Sequence, residues 1–477
     1  MNRDDALSRW GLPAVILFAI VAVLINPIGF VGGGNDDQRY LDAARCWVSA
    51  HGPCLATNHW ETRWPTIAPI ALAFGLFGES RTVLGLAPLA WWIAGVMLLG
   101  LLGRLWFDRP TGLLAAAVMA SVVVYATTAL QPGADNVELA LQLGALVLAT
   151  TAYRRQSRGW ALAAGAVAGI ALQARDTSLV FAGLSALGWL MLDRERRHVL
   201  LWSIVGLAAV SAAEMAVYAA VTGDPLYRYR LALDHGRILS AELAPWVDTS
   251  RSPLFNPQFI AGWRRPMGIE LWWPIDPWLN LIASPLIAIP IVLVVFLGFW
   301  GWRDLPPRWG WRLGRLAGLS LLGALIAVYA LAIDPKARIF LPLVAIASLA
   351  FGALAVSGWR ANRQAVPVAF VAVAGFLGAL FIVSRFNSTP FEAAARTWIV
   401  HHGDRMEIDS PTRSILTLVP EARLLPPKAS GRPLRLTTAP RGCRQLIAPE
   451  SGALPSARIV ASEGRLGHIQ LCLLEYR

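Results

Sequence analysis

Asp36 and Asp37 stand side by side directly after a long apolar run, residues 12–31, behind the triplet Gly32, Gly33 and Gly34. A carboxylate at the mouth of a hydrocarbon-length segment is costly to keep there without a task. A second acidic set, Asp135 and Glu138, lies in a short polar stretch between two further apolar runs. Carboxylates at two such places can divide labour: one takes the proton from an acceptor hydroxyl, while the other orients that hydroxyl or holds a divalent metal. An aspartate of near-normal pKa needs only modest desolvation to act as such a base in a partly dry cavity. The plainer reading is helix capping, since an acid in the first turn complements a helix N-terminus. Capping suits Asp135 as well as catalysis does. It suits the first pair less, because a cap needs one residue and a glycine-rich turn here presents two.

Cations form the second constellation. Arg63, Arg175, Lys336 and Arg338 each border an apolar run on the same side of the chain's membrane pattern as the acids. Positive charge is disfavoured on that side. A phosphate carried on a lipid would account for it, with Arg giving paired oxygen contacts and Lys a point charge. Where a sugar leaves such a phosphate, negative charge builds on the leaving oxygens, and fixed cations stabilise it. The competing account is snorkelling toward headgroups, or, for Arg175, simple pairing with Asp176. His235 stands alone, without metal-ligand spacing. Trp263, Trp272, Trp273 and Trp278 can stack on sugar faces, although interfacial anchoring is their commoner use. There is no nucleotide-binding fingerprint and no nucleophile elbow, and the three glycines lack the Lys-Ser/Thr of a phosphate loop.

These residues need a scaffold. Of 477 residues 56% are hydrophobic and only 15% charged, where a soluble domain carries about a quarter charged. Apolar runs recur, many of about 20 residues and among them 112–130, 178–192, 277–302 and 366–384, with the basic stretch 303–315 as an inner loop; they predict a polytopic α-helical membrane protein with about eleven transmembrane helices. Residues 36–50 have helical spacing with an apolar side, and residues 62–78 hold an apolar run too short to span; both read as outer-face interfacial segments. The net charge of +12 is scattered through short inter-span loops. That distribution argues against nucleic acid and for the positive-inside bias, with anionic membrane lipids as partners. With the N-terminus cytoplasmic and the first run acting as a signal-anchor, the basic short loops fall inside. The acids, the four cations above, a long loop at 222–275 and the tail then fall outside. The expected division is a membrane domain over 1–384, with a first outer loop at 32–81, and a small extracytoplasmic α/β or mostly-β domain over 385–477. Cys46 and Cys54 lie in that first loop, and Cys443 and Cys472 in the tail. Two local pairs outside the membrane fit two disulfides in an oxidising compartment.

The order of motifs resembles a known family. An acidic pair after the first span, an Arg-x-Pro element at Arg63, Trp64 and Pro65, a second-loop acid, and a late Arg-x-x-x-Pro turn from Arg338 to Pro342 look like the integral-membrane GT-C glycosyltransferases. The protein mannosyltransferase and lipid A aminoarabinose transferase type is the nearest in pattern, and the stretch at 222–227 after the seventh run also looks like its bacterial members. The resemblance covers roughly residues 12–358. It implies inverting transfer of a hexosyl or pentosyl group from a polyprenyl-phosphate donor to a glycan, lipid or protein acceptor, at the outer face of the bacterial cytoplasmic membrane. It further implies Asp36 as general base with Asp37 beside it, Asp135 or Glu138 as the second-loop acid, and Arg63, Arg175, Lys336 and Arg338 on the donor phosphate. A transporter or flippase of a lipid-linked or anionic substrate is the alternative. That would call for ionisable groups near mid-membrane, and Glu214 is the exception in spans otherwise almost free of charge.

Overall fold

The computed structural model describes residues 36–181, 197–233, 302–330, 337–361, 391–416, 419–427, 433–439, 457–466 and 469–476, with single positions at 11–21, 278–294 and 443. The runs expected at 12–31, 178–192, 277–302 and 366–384 lie wholly or largely outside these residues, as do Lys336, His235, Trp263, Trp272 and Trp273.

The first described element, α1 (Asp36–Ser49), is an amphipathic surface helix. It packs on α2 (Trp64–Phe77), a 14-residue apolar helix with Pro at its start and Gly78 closing it at positive φ. Tyr40, Leu41, Ile67, Ile70 and Leu84 are buried between them and the next helix. Complete burial of each aliphatic side chain contributes about 1.5–3 kcal/mol. The Cys46–Cys54 disulfide ties the end of α1 to the loop that follows, and Arg45 pairs with Glu79 across to the far side of α2.

The long helices follow. Helix α3 (Arg81–Trp106) begins on a Ser80 cap whose oxygen accepts from the Val83 amide at 3.2 Å. Asp108 caps α4 (Arg109–Ser121) by accepting from the Thr111 amide at 2.9 Å. Val122 is extended and breaks the helix before the short α5 (Val123–Thr127), so the single span expected over 112–130 is in two pieces. Next come α6 (Ala134–Arg155), ended by Gln156 in the left-handed region, and α7 (Arg158–Ala174). Helix α8 is Arg197–Thr222. Helix α9 (Pro307–Leu325) continues as a π-turn over Ile326–Ala330. A 3₁₀ turn, Ala337–Phe340, leads into α10 (Leu341–Arg360). Among the described residues four helices are long and apolar enough to cross a membrane: Arg81–Trp106, His198–Thr222, Pro307–Val328 and Leu341–Arg360.

The core joins α3, α4, α6 and α10 around Trp92, Leu99, Met119, Leu143, Phe340 and Val344. Backbones meet closely at small residues. A Cβ on Gly112 would come within 2.3 Å of the Gly100 carbonyl, and one on Gly165 would strike the Ser203 carbonyl.

Residues 391–476 contain α11 (Phe391–His402), β1 (Met406–Ile408), α12 (Ser410–Ile415), α13 (Pro420–Leu424), β2 (Leu434–Ala439), β3 (Ala457–Leu466) and β4 (Ile469–Tyr476). The four strands form a sheet in the order β1-β2-β4-β3, with β1 parallel to β2 and the other pairs antiparallel. Successive side chains of β4 serve opposite faces, as strand geometry demands. Leu471 and Leu473 pack with Trp398 and Leu416 of the helical layer. Cys472 and Leu474 pack with Ala439 and Ile459, where the Cys443–Cys472 disulfide lies.

Candidate active site

Four segments far apart in sequence bring their charges together. The first turn of α1 supplies Asp36 and Asp37, and the first turn of α6 supplies Asp135 and, one turn on, Glu138. Arg175 closes α7 as its C-cap, and Arg338 lies in the 3₁₀ turn before α10. Placing acids at helix starts costs little, because the macrodipole favours negative charge there. The same placement leaves their carboxylates free to turn toward cations.

Arg338 bridges two of the acids. Its Nη2 donates to Asp36 Oδ2 at 3.1 Å, and its Nε lies 3.8 Å from Asp135 Oδ2. Arg175 donates to the other Asp135 oxygen and lies 3.7 Å from Glu138 Oε2. The carboxylate of Asp135 therefore faces guanidinium groups, and Gly133 holds the cap position of α6. Burial pushes the Asp135 carboxyl up, but Arg175 and Arg338 together outweigh it and hold it below the usual range. Asp135 in turn raises the Arg338 guanidinium, against the effect of burial, with Asp36 adding to it. Asp135 and Arg338 thus hold each other in their charged forms.

Glu138, just before the apolar part of α6, is cradled differently. Its Oε1 accepts from Thr177 Oγ1 at 2.6 Å, Ser178 Oγ at 2.8 Å and Gln142 Nε2 at 3.0 Å. Burial raises its carboxyl, opposed by Arg175 and then by the two hydroxyls, and the net shift is upward. Asp37 is buried; it accepts from the Gln38 amide at 3.0 Å, and Gln131 Nε2 lies 3.5 Å away. Arg63 is turned to Tyr40, donating from Nη1 to the phenol oxygen at 2.6 Å. Burial raises that phenol while Arg63 works against it. The structure therefore gathers Asp36, Asp135, Glu138, Arg175 and Arg338 in one ion-paired chain. Arg63 and Asp37 lie on the flanking α1–α2 side, and Lys336 lies outside the described residues.

Tyr40, Gln131, Gln142, Thr177 and Ser178 are members of the site that the sequence reading did not single out. Thr177 and Ser178 follow Arg175 and Asp176 in the same short polar stretch, which is the one signal that points to them. That loop is itself held from behind. Arg228, only 2% exposed, donates to the Leu172 carbonyl at 2.6 Å, to Asp176 at 3.0 Å and to Glu214 at 2.9 Å. The intramembrane Glu214 thus has a structural partner. Among the described residues no three His, Cys, Asp or Glu side chains gather as a metal site, and Asp36, Asp135 and Glu138 each face a guanidinium group.

A groove of about 530 Å³ opens from this cluster. Glu138, Arg175 and Thr177 line one end, Leu146, Phe181 and Leu319 belong to its apolar wall, and Arg154, Arg312 and Arg315 also border it.

Residues 67–220 match the family model of the dolichyl-phosphate-mannose-protein mannosyltransferases. The fold is that of the oligosaccharyltransferase of Archaeoglobus fulgidus. Its apo form superposes with a TM-score of 0.52 at 12% identity over 88% of this chain and 64% of that one. The form solved with an inhibitory peptide and a dolichol-phosphate gives 0.51 at 12% identity over 90% and 61%. This chain accordingly spans a little over 60% of the length of the archaeal enzyme. The match to ArnT from Cupriavidus metallidurans, solved with undecaprenyl phosphate, covers 98% of both chains at 16% identity with a TM-score of 0.46. No curated protein matches the chain in sequence at a significant level. The chain therefore shares the fold of the archaeal oligosaccharyltransferase. It resembles the protein mannosyltransferase type through the match over residues 67–220.

Proposed function

We propose that this protein is an inverting glycosyltransferase that moves a sugar from a polyprenyl-phosphate donor to an acceptor hydroxyl. Asp36 takes the hydroxyl proton as the acceptor oxygen attacks the anomeric carbon from the face opposite the phosphate. The bond from that carbon to the phosphate oxygen breaks, and its electron pair stays on the leaving phosphate. Arg338 and Arg175 stabilise the charge that develops there, Lys336 and Arg63 add to the positive field, and Asp135 and Glu138 hold the guanidinium groups in place. The apolar groove carries the isoprenoid tail.

The observation that carries this reading is the bridge Asp36–Arg338–Asp135–Arg175 at the head of an apolar groove. A base and two cations stand within one ion-paired chain, where a lipid phosphate and a hydroxyl can meet. The transporter alternative loses its main support, because the one charge within an otherwise neutral span, Glu214, is neutralised by Arg228. On this reading the protein sits in the bacterial cytoplasmic membrane with the N-terminus inside. The catalytic domain is 1–384 with about eleven spans, and 385–477 forms an extracytoplasmic domain. The test is to reconstitute the purified protein in lipid with a panel of labelled polyprenyl-phosphate sugars and membrane extract. The expected result is consumption of one donor with label in a new product. Movement of lipid-linked substrate across the bilayer with no donor consumed would instead establish the transporter.

A further inference from the structure

The groove has a second polar end that the transfer reaction does not use. Arg154 lies in the last turn of α6, sixteen residues beyond Glu138, which is about 24 Å along a helix rising 1.5 Å per residue. That is most of the depth of a hydrocarbon core of about 30 Å. Arg312 and Arg315 join Arg154 there from the first half of α9. Arg154 donates to the Leu105 carbonyl and Arg312 to the Trp106 carbonyl, both in the last turn of α3. These bonds anchor two guanidinium groups beside each other and use one donor of each. Arg315 stacks on Trp311 with its Cζ 4.1 Å from the ring centre. Among the described residues none of the three has a carboxylate partner, and Glu138, at the opposite end, is the acid among the groove's lining residues.

A general preference for basic loops on one side of a membrane explains the presence of arginines. It does not explain why three of them, from two helices, line the end of an apolar groove. Nor does it explain the lining beyond them, where a Cβ built on Gly318 would meet nothing within 4 Å. We propose that Arg154, Arg312 and Arg315 bind the phosphate of an anionic glycerophospholipid from the leaflet opposite the transfer site, with one acyl chain lying in the lower part of the groove. The bound lipid ties α9 to α3 and α6, so the helix that walls the groove is positioned by the membrane's own acidic lipid. The site depends on the groove and not on the chemistry proposed at its other end. Only the assignment of leaflets rests on that reading.

The test uses the full chain reconstituted in discs of mixed phosphatidylglycerol and phosphatidylcholine, extracted, and weighed intact by native mass spectrometry. The wild type is expected to retain phosphatidylglycerol. The variant Arg154→Gln/Arg312→Gln/Arg315→Gln is expected to lose affinity on the order of a hundredfold, at roughly fivefold for each cation near an acidic headgroup. Arg154→Lys/Arg312→Lys/Arg315→Lys keeps the charges and retains the lipid, which separates lost binding from lost folding. Equal retention by the wild type and the Gln variant overturns the proposal. Displacement of the lipid by millimolar inorganic phosphate overturns the lipid source, making the site one for a soluble phosphate. The variant Asp36→Asn is expected to keep the lipid whatever its transfer activity, so the failure of one reading is distinguishable from the failure of the other.

Discussion

At the scale of single residues the site is a balance of burial against pairing. Asp135 is held below the ordinary carboxylate range because Arg175 and Arg338 outweigh its burial. A depressed folded pKa contributes stability that is present above the unfolded value and is lost as the pH falls through the lower folded one. Asp135→Asn leaves two guanidinium groups without their shared partner, and removing one member of a buried pair costs about 3 kcal/mol. The variant is expected to unfold at lower temperature at neutral pH, with the deficit shrinking in acid; thermal melts in detergent across pH measure it. Glu138 has the opposite sign. Its carboxyl is raised by burial, so its contribution is fully present below the unfolded value and fades as the pH rises through the folded one. Relative to Glu138→Gln, the wild type is expected to lose stability as the pH is raised through and above the ordinary carboxylate range; a constant difference between the two melting curves would contradict the assignment. The acids themselves were legible in the sequence, because a carboxylate beside a 20-residue apolar run has few other uses. Their partners were not. Arg338 reaches Asp36 across 302 positions, and Arg63 spends its Nη1 on Tyr40, which carries no charge to betray it.

At the scale of elements, the short loop after α7 is the piece that must be aimed. It carries Arg175, Thr177 and Ser178, and Arg228, six residues beyond the end of α8, clamps it through Leu172 and Asp176. Arg228→Met is expected to lower transfer at least tenfold while leaving Asp36 and Arg338 paired, and adding Glu214→Gln is expected to restore abundance by removing the stranded buried charge. Pulse-chase abundance beside activity separates the two effects. The α7–α8 contact depends on small residues: a side chain on Gly206 would meet the Leu162 carbonyl at 2.2 Å. Gly206→Leu is expected to cost about 1–3 kcal/mol or more through overpacking, seen as a lower melting temperature and loss of folded protein. Apolar run length gave most of these helices away. Two features escaped it. The break at Val122 falls inside an unbroken apolar run, with no Gly or Pro at the bend. Helix α9 starts at Pro307, where the arginines between residues 303 and 315 read as a loop. A run of charge hid a helix whose other side is apolar.

At the scale of the molecule, sidedness ties the parts together. Both disulfides, Cys46–Cys54 and Cys443–Cys472, belong on the face that carries the acid–cation cluster if that face is the oxidising one. In sealed inverted vesicles a membrane-impermeant reductant is expected to leave both bonds intact, and in right-side-out spheroplasts to reduce any that are exposed. Reduction only in inverted vesicles would reverse the orientation. The cysteine pairing was readable because each pair is local, whereas the strand order of residues 406–476 was not, since β1 pairs with β2 in parallel across two intervening helices. The central claim is that Asp36, bridged by Arg338 to Asp135, is the base of a glycosyl transfer. The most direct measurement is single-turnover transfer by Asp36→Asn beside the wild type, in the same lipid and at matched abundance, with the donor the wild type consumes. The predicted result is donor binding retained and transfer slowed by about 10²–10⁴-fold, the usual weight of a positioned general base. Transfer at the wild-type rate would contradict the account.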